Sequence, residues 1–138
     1  MAPQYIDVFL SPVRDNQQIQ AALFAFMLLV LLDVIFGISN ALMTKNFSST
    51  VLREGIVHKL SEFGIIAVGV IIDGLLFAGL DLGFNGPVLA FFLLALIVME
   101  LGSIMELLAE LNPQLKNNAA FKLLASVKEP EREEGEDD

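Results

Sequence analysis

AALFAFMLLVLL, residues Ala21–Leu32, decides how the rest of the chain reads. A helix built from this unbroken apolar run has no polar face at 3.6-residue spacing, so no side of it is suited to water. Extended to residues 19–43, the block contains one ionisable residue, Asp33. That exceeds the about 20 residues a helix needs to cross roughly 30 Å of hydrocarbon. Two further blocks follow. Residues 60–80 carry Asp73 as the lone charge after Glu62, and residues 88–111 open as VLAFFLLALIVM before continuing less purely as LGSIMELLAEL. The third is long enough only with Glu100, with or without Glu106, in or near the membrane. A soluble helical bundle would need a polar stripe that Ala21–Leu32 and Val88–Met99 both lack. For the first block, Ser39-Asn40-Ala41 faintly resembles a signal-peptide cleavage site. The long polar lead-in, the offset of Arg14 by Asp15, and Asp33 itself favour a retained span. The expected fold is an all-α membrane protein with three transmembrane helices.

Composition agrees. Of 138 residues, 55% are hydrophobic, against roughly 45–50% in soluble domains, and the mean hydropathy is +0.67. Cys and Trp are absent and His58 is the single histidine, which removes disulfides, thiolate sites and paired imidazoles. No phosphate loop, dinucleotide fingerprint, nucleophile elbow or zinc-protease motif appears. An enzyme and a bound cofactor are therefore not expected. The net charge of −9 is concentrated at the end, where residues 129–138 (EPEREEGEDD) hold seven of the 17 acids. This run lacks core-forming residues and is expected to be a disordered acidic C-terminal tail following a single membrane domain over residues 1–128. The near-neutral remainder offers nucleic acid no basic footprint.

Lys and Arg set the orientation. Arg14 precedes the first span. Lys45, Arg53 and Lys59, beside His58, lie between the first and second. None lies in the second loop (residues 81–87), and Lys116, Lys122, Lys128 and Arg132 follow the third. With the N-terminus outside and the C-terminus inside, seven bases face the cytoplasm and one faces out. After Phe47-Ser48-Ser49-Thr50, Val51, Leu52, Ile56 and Leu60 recur at near-helical spacing opposite Arg53 and Lys59. This predicts a short amphipathic interfacial helix before the second span, its bases Lys45, Arg53, His58 and Lys59 at anionic headgroups. A plain solvated loop is the alternative. Tyr5, Ile6, Phe9 and Leu10, before Pro12, are expected on the outer surface.

Polar groups inside the spans are the candidate functional residues. A carboxylate at the bilayer centre costs about 2.5–3.5 kcal/mol on insertion scales. Asp33 and Asp73 fall near the middle of their blocks, and no Lys or Arg within any span is available to pair with them. Each is expected to stay protonated, share a hydrogen bond or face water, unless its span boundary lies closer to it than drawn. Glu100, Ser103, Glu106 and Glu110 fall in an arc of about 120° on a helix. They mark either a pore wall or cytoplasmic mouth, or a helix leaving the membrane near Glu100. Gly37 with Ala41, and Gly74 with Ala78, form small-xxx-small pairs that permit close helix packing.

These features occur in a recognisable order. Asp33-xxx-Gly37-xxx-Ala41-xxx-Lys45-x-Phe47-x-Ser49, then Gly55-xxx-Lys59, Asp73, Glu100-xx-Ser103-Ile104-x-Glu106 and Pro113 together resemble the toxin-secretion/phage-lysis holin family, over roughly residues 28–124. The chain departs from that pattern at His58, where Arg is common, and at Leu107, where Asn follows the second Glu. Leu111-Asn112-Pro113-Gln114 is a thin version of a Gly-x-Pro-x-Pro stretch, and the acidic end contrasts with the basic tails frequent among holins. The resemblance implies a homo-oligomer in the bacterial cytoplasmic membrane. Its lesions depolarise that membrane and let an endolysin or a toxin cross, with no direct endolysin contact required and an antiholin as a candidate regulator. Asp33, Asp73 and Glu100 would then turn to water as oligomers open. A small ion channel or transporter subunit using the intramembrane carboxylates is the alternative, and an adaptor recruiting partners through its acidic tail is a third reading.

Overall fold

In the computed structural model, which describes residues 4–126, every regular element is helical. The chain runs through α1 (Gln4–Arg14), α2 (Gln17–Met43), α3 (Ser49–Phe77), α4 (Val88–Leu111), a 3₁₀ turn (Pro113–Asn117) and α5 (Ala119–Ser126). Helices α2, α3 and α4 are each long and apolar enough to cross a membrane. The expected acidic tail, residues 129–138, lies outside the described residues.

Local chemistry sets the helix boundaries. The Asn16 side-chain oxygen accepts from the Gln18 and Ile19 N–H groups at 3.0 and 3.3 Å and starts α2. Arg14 binds Asp15 at 3.0 Å and Asp7 at 3.3 Å on the same corner. The hydrogen bond from Arg14 holds the Asp15 carboxyl below its ordinary value. Helix α2 ends with Lys45 in the left-handed region (φ 56) and the Asn46 N–H bonded to the Ala41 carbonyl at 3.1 Å. Helix α3 ends in a Schellman motif: Gly79 has φ +90, its N–H reaches the Leu76 carbonyl, and Leu80 reaches Leu75.

Two boundaries differ from the sequence reading. The expected interfacial helix and the second span are one unbroken helix, Ser49–Phe77, begun by the Ser48 hydroxyl accepting from the Val51 N–H at 3.3 Å. Nothing between residues 49 and 77 interrupts the ladder. The switch from polar to apolar composition near Leu60 is a change of solvent along one helix and not a change of backbone. The segment around Tyr5 is the helix α1, which packs against α3.

Helices α2 and α4 run in the same direction and pack along most of their length, with α3 against α4 and α1 against α3. Ile19, Phe26, Leu89, Leu93 and Leu96 form the buried core. The Phe26 and Phe63 rings meet edge-on at 5.8 Å between centroids. Close approach falls at two glycines of α3. A Cβ at Gly69 would sit 3.1 Å from the Leu89 Cα, and one at Gly74 would sit 2.4 Å from the Phe9 ring and 3.0 Å from its Cα. Gly74 therefore receives α1 and Gly69 receives α4. Of the expected small-residue contacts, Gly37 has no neighbour within 4 Å of a Cβ position, and Ala78 is an exposed C-cap. Ala41 is half-buried.

Candidate functional site

The inward face of α4 repeats at 4,3 spacing as Leu89, Leu93, Leu96, Glu100, Ser103, Leu107, Glu110. That of α2 repeats as Ile19, Leu23, Phe26, Val30, Asp33, Gly37, Asn40. Both stripes begin apolar and turn polar at the same level. Ser103 Oγ donates to Asp33 Oδ1 at 2.6 Å, and Asn40 Nδ2 donates to Glu110 Oε2, each pair 70 residues apart. The same offset aligns Ile19 with Leu89 and Phe26 with Leu96. The seam that starts as a leucine core thus continues as a polar one.

Helix α3 brings a cation to that level. Lys59 Nζ lies 3.0 Å from Asp33 Oδ2, donates to Glu100 Oε1, and sits 3.6 Å from Glu62 Oε2. His58 Nε2 lies 2.9 Å from Glu62 Oε1. The Lys59 and Asp33 side chains are 16% and 14% exposed, while those of Glu62 and Glu100 are each 2% exposed. Three carboxylates from three helices therefore surround one ammonium inside the bundle. Glu62 Oε2 and Glu100 Oε2 are buried without a hydrogen-bond partner, and Glu62 Oε1 is buried with only the His58 imidazole beside it. Orphan oxygens of this kind are costly in a protein interior and rarer still in lipid.

The sequence reading left Asp33 without a cation, because Lys59 stands just outside the drawn second span. The continuous α3 and the length of the lysine stem overturn this: a flexible four-carbon side chain swings inward to its partners. Asp73 is also placed differently. It sits one turn from the end of α3, and its two oxygens accept from the Val88 and Leu89 N–H groups at 2.9 and 3.1 Å. Pro87, at the N-cap of α4, offers no side-chain cap, so Asp73 caps that helix from a neighbour. About 21 Å of α3 separates Asp73 from Lys59, and the two carboxylates do not share a site.

The other expected residues are distributed as follows. Glu100 and Ser103 belong to the cluster, while Glu106 is exposed further along α4. Lys45, Arg53 and His58 are exposed, and among the four interfacial bases Lys59 is the one that turns inward. Glu62 belongs to the site and was not anticipated. Its signal was present in the sequence, since it stands three residues after Lys59 and four after His58, on the face where helical neighbours meet.

The site adjoins one end of the continuous apolar runs. Ala21–Leu32 and Val88–Met99 each rise about 18 Å, and Phe63–Ile72 about 15 Å, so the uninterrupted apolar layer is shorter than roughly 30 Å of hydrocarbon. Beyond that layer the outer surface stays apolar: Val34, Ile35, Ile38, Leu42, Ile56, Val57, Leu60 and Leu101 are all exposed. Apolar side chains thus flank the cluster, while Arg53, Glu54, His58 and Ser61 leave one side polar.

No curated protein and no solved structure matches the chain. The sequence profile of the bacteriophage holin family matches residues 17–119, from the first residue of α2 to the first of α5, and so takes in the whole three-span bundle and its charged cluster. On that match, the chain belongs to the bacteriophage holin family, as a multi-pass membrane protein and not an enzyme.

Proposed function

We propose that the protein oligomerises in the bacterial cytoplasmic membrane and opens lesions that depolarise it and release an endolysin or a toxin. The observation that carries this reading is the buried cluster of Asp33, Lys59, Glu62 and Glu100. A bundle that hides three carboxylates behind one lysine, with orphan oxygens inside, holds groups that water would solvate better. Rearrangement of neighbouring bundles around a wet opening would hydrate those groups while the apolar exterior stays in lipid. Family membership and the absence of a soluble catalytic domain among the described residues support the same reading.

In this reading the N-terminus is outside and the C-terminus inside, as the Lys and Arg distribution favours. Residues 1–128 are the membrane domain, and residues 129–138 add acidic charge on the cytoplasmic side. The endolysin is a functional partner without direct contact, and an antiholin would act by joining the oligomer.

The test is inducible expression beside a cytosolic endolysin that lacks a signal peptide, following turbidity and a membrane-potential dye together. Abrupt depolarisation, with clearing only when the endolysin is present, is the expected result. Depolarisation without clearing would replace the lesion with an ion-conducting pore, and a potential that holds would overturn both.

A further inference from the structure

Within the cluster the hydrogen-bond needs of Asp33 are met, because Ser103 donates to Oδ1 and Lys59 lies 3.0 Å from Oδ2. The remaining carboxylates, Glu62 and Glu100, are not served in this way. Lys59 donates to Glu100 Oε1, but its 3.6 Å separation from Glu62 is too long for a full hydrogen bond. The Glu62 and Glu100 carboxyls flank the same Lys59 ammonium inside the bundle. Glu62 Oε2 and Glu100 Oε2 lack a hydrogen-bond partner, and Glu62 Oε1 has only the His58 imidazole, 2.9 Å away. Two ionised carboxylates in contact away from water repel, whereas one proton between them turns the repulsion into an O–H···O bond.

We propose that Glu62 and Glu100 form a proton-binding site inside the bundle, loaded from solution through His58. This stands on the geometry of the bundle and is independent of lesion formation. The groups facing the pair are Asp33 from α2, His58 and Lys59 from α3, and Ser103, which is not titratable, from α4. Glu106 and Glu110 lie further along α4, and Asp7 and Arg14 of α1 pair with each other at the opposite end. Three carboxylates against one ammonium leave an excess of two negative charges. A shared proton removes one, and a protonated His58 balances the other. The ligand is a proton and not a metal ion, because the Lys59 ammonium already occupies the centre. Among the described residues no acidic or histidine cluster has metal-binding geometry.

His58 is suited to the loading step. Its Nε2 lies 2.9 Å from Glu62 Oε1, its side chain is 58% exposed, and a cavity of about 370 Å³ lined by Arg53, Glu54, Val57, His58 and Ser61 opens beside it. The imidazolium Nε2–H bond breaks as an O–H bond forms on Glu62. The neutral imidazole keeps its Nδ1–H and is left with a lone pair at Nε2. The exposed ring then rotates toward the open side, where hydronium or a buffer acid returns a proton to Nε2, and the reverse sequence unloads the site.

The experiment is infrared spectroscopy of the full chain in phosphatidylethanolamine/phosphatidylglycerol vesicles, reading the C=O stretch of protonated carboxyls at pH 7. The wild type is expected to show the band, Glu62→Gln and Glu100→Gln to lose it, and Asp33→Asn to keep it. Lys59→Met, which removes the buried cation, is expected to enlarge the band as a second carboxyl takes up a proton. A wild type without the band, or a band that survives both Gln variants, would overturn the site. Should the Gln variants fail to insert with native helix content, the wild-type band and its response to Lys59→Met decide the matter alone. His58→Phe is expected to keep the band but slow its response to a pH jump by at least about tenfold. An unchanged rate would overturn the route.

Discussion

Replacing Asp73 by Ala tests the assignment of that carboxylate as a helix cap and not a pore group. Its oxygens accept from the Val88 and Leu89 N–H groups at 2.9 and 3.1 Å, and the residue is 8% exposed. An exposed cap contributes about 1 kcal/mol, whereas hydrogen bonds to a charged group contribute about 1.5–3 kcal/mol each. Water that enters after truncation recovers part of this at Val88, which is only partly buried, and less at Leu89. The net loss at the start of α4 is therefore about 2–4 kcal/mol, or roughly a 30- to 900-fold shift in its local opening. Amide hydrogen exchange at Val88 and Leu89 in lipid nanodiscs reads that shift directly. Asp73→Asn keeps one acceptor oxygen and should exchange at a rate between wild type and Ala. Exchange within threefold of wild type in Asp73→Ala would refute the capping role.

Three further outcomes are expected. Lys59→Met, read by denaturant unfolding in micelles, should destabilise the bundle by about 3–5 kcal/mol, because it leaves buried carboxylates without their cation. Adding Asp33→Asn should restore part of the loss, and equal stability of Lys59→Met and wild type would remove the ion cluster from the fold. Gly74→Ala drives a Cβ into Phe9 and should loosen α1 at a cost of roughly 1–3 kcal/mol, seen as faster proteolysis within residues 4–14 and partly relieved by Phe9→Ala, which removes the ring but not the close Cα. Lys45→Gly relieves a left-handed residue at the end of α2 and should raise thermal stability by about 1 kcal/mol.

The three spans were legible because apolar run length is a direct measure of membrane crossing, and α4 begins at the residue after Pro87 where expected. The α3 boundary was not legible, since a change in polarity at Leu60 marks where lipid begins and carries no information about the backbone. Asp33, Glu100 and Ser103 stood out as polar residues in apolar surroundings. Their partner did not, because Lys59 lies beyond the apolar block and only the antiparallel course of α3 turns it toward α2 and α4. Asp73 could be priced from sequence but not explained, because its two donors belong to the backbone of another helix, 15 and 16 residues away. The 4,3 spacing shared by the leucines and the polar residues of α4 was the readable sign that both face the same seam.

Lys59 and Asp73 both lie on α3, yet each completes its interactions on α4, which is made later. A ribosome that has delivered α3 but not α4 presents the membrane with a lysine holding two of its three carboxylates, Asp33 and Glu62, and with an aspartate whose two N–H donors do not exist. Helix α3 is thus the least self-sufficient of the three during synthesis. Its lodging in the bilayer is completed by the arrival of α4, and a chain cut short before Val88 would leave it poorly inserted, open to slipping back out or to capture by a full-length neighbour's α4.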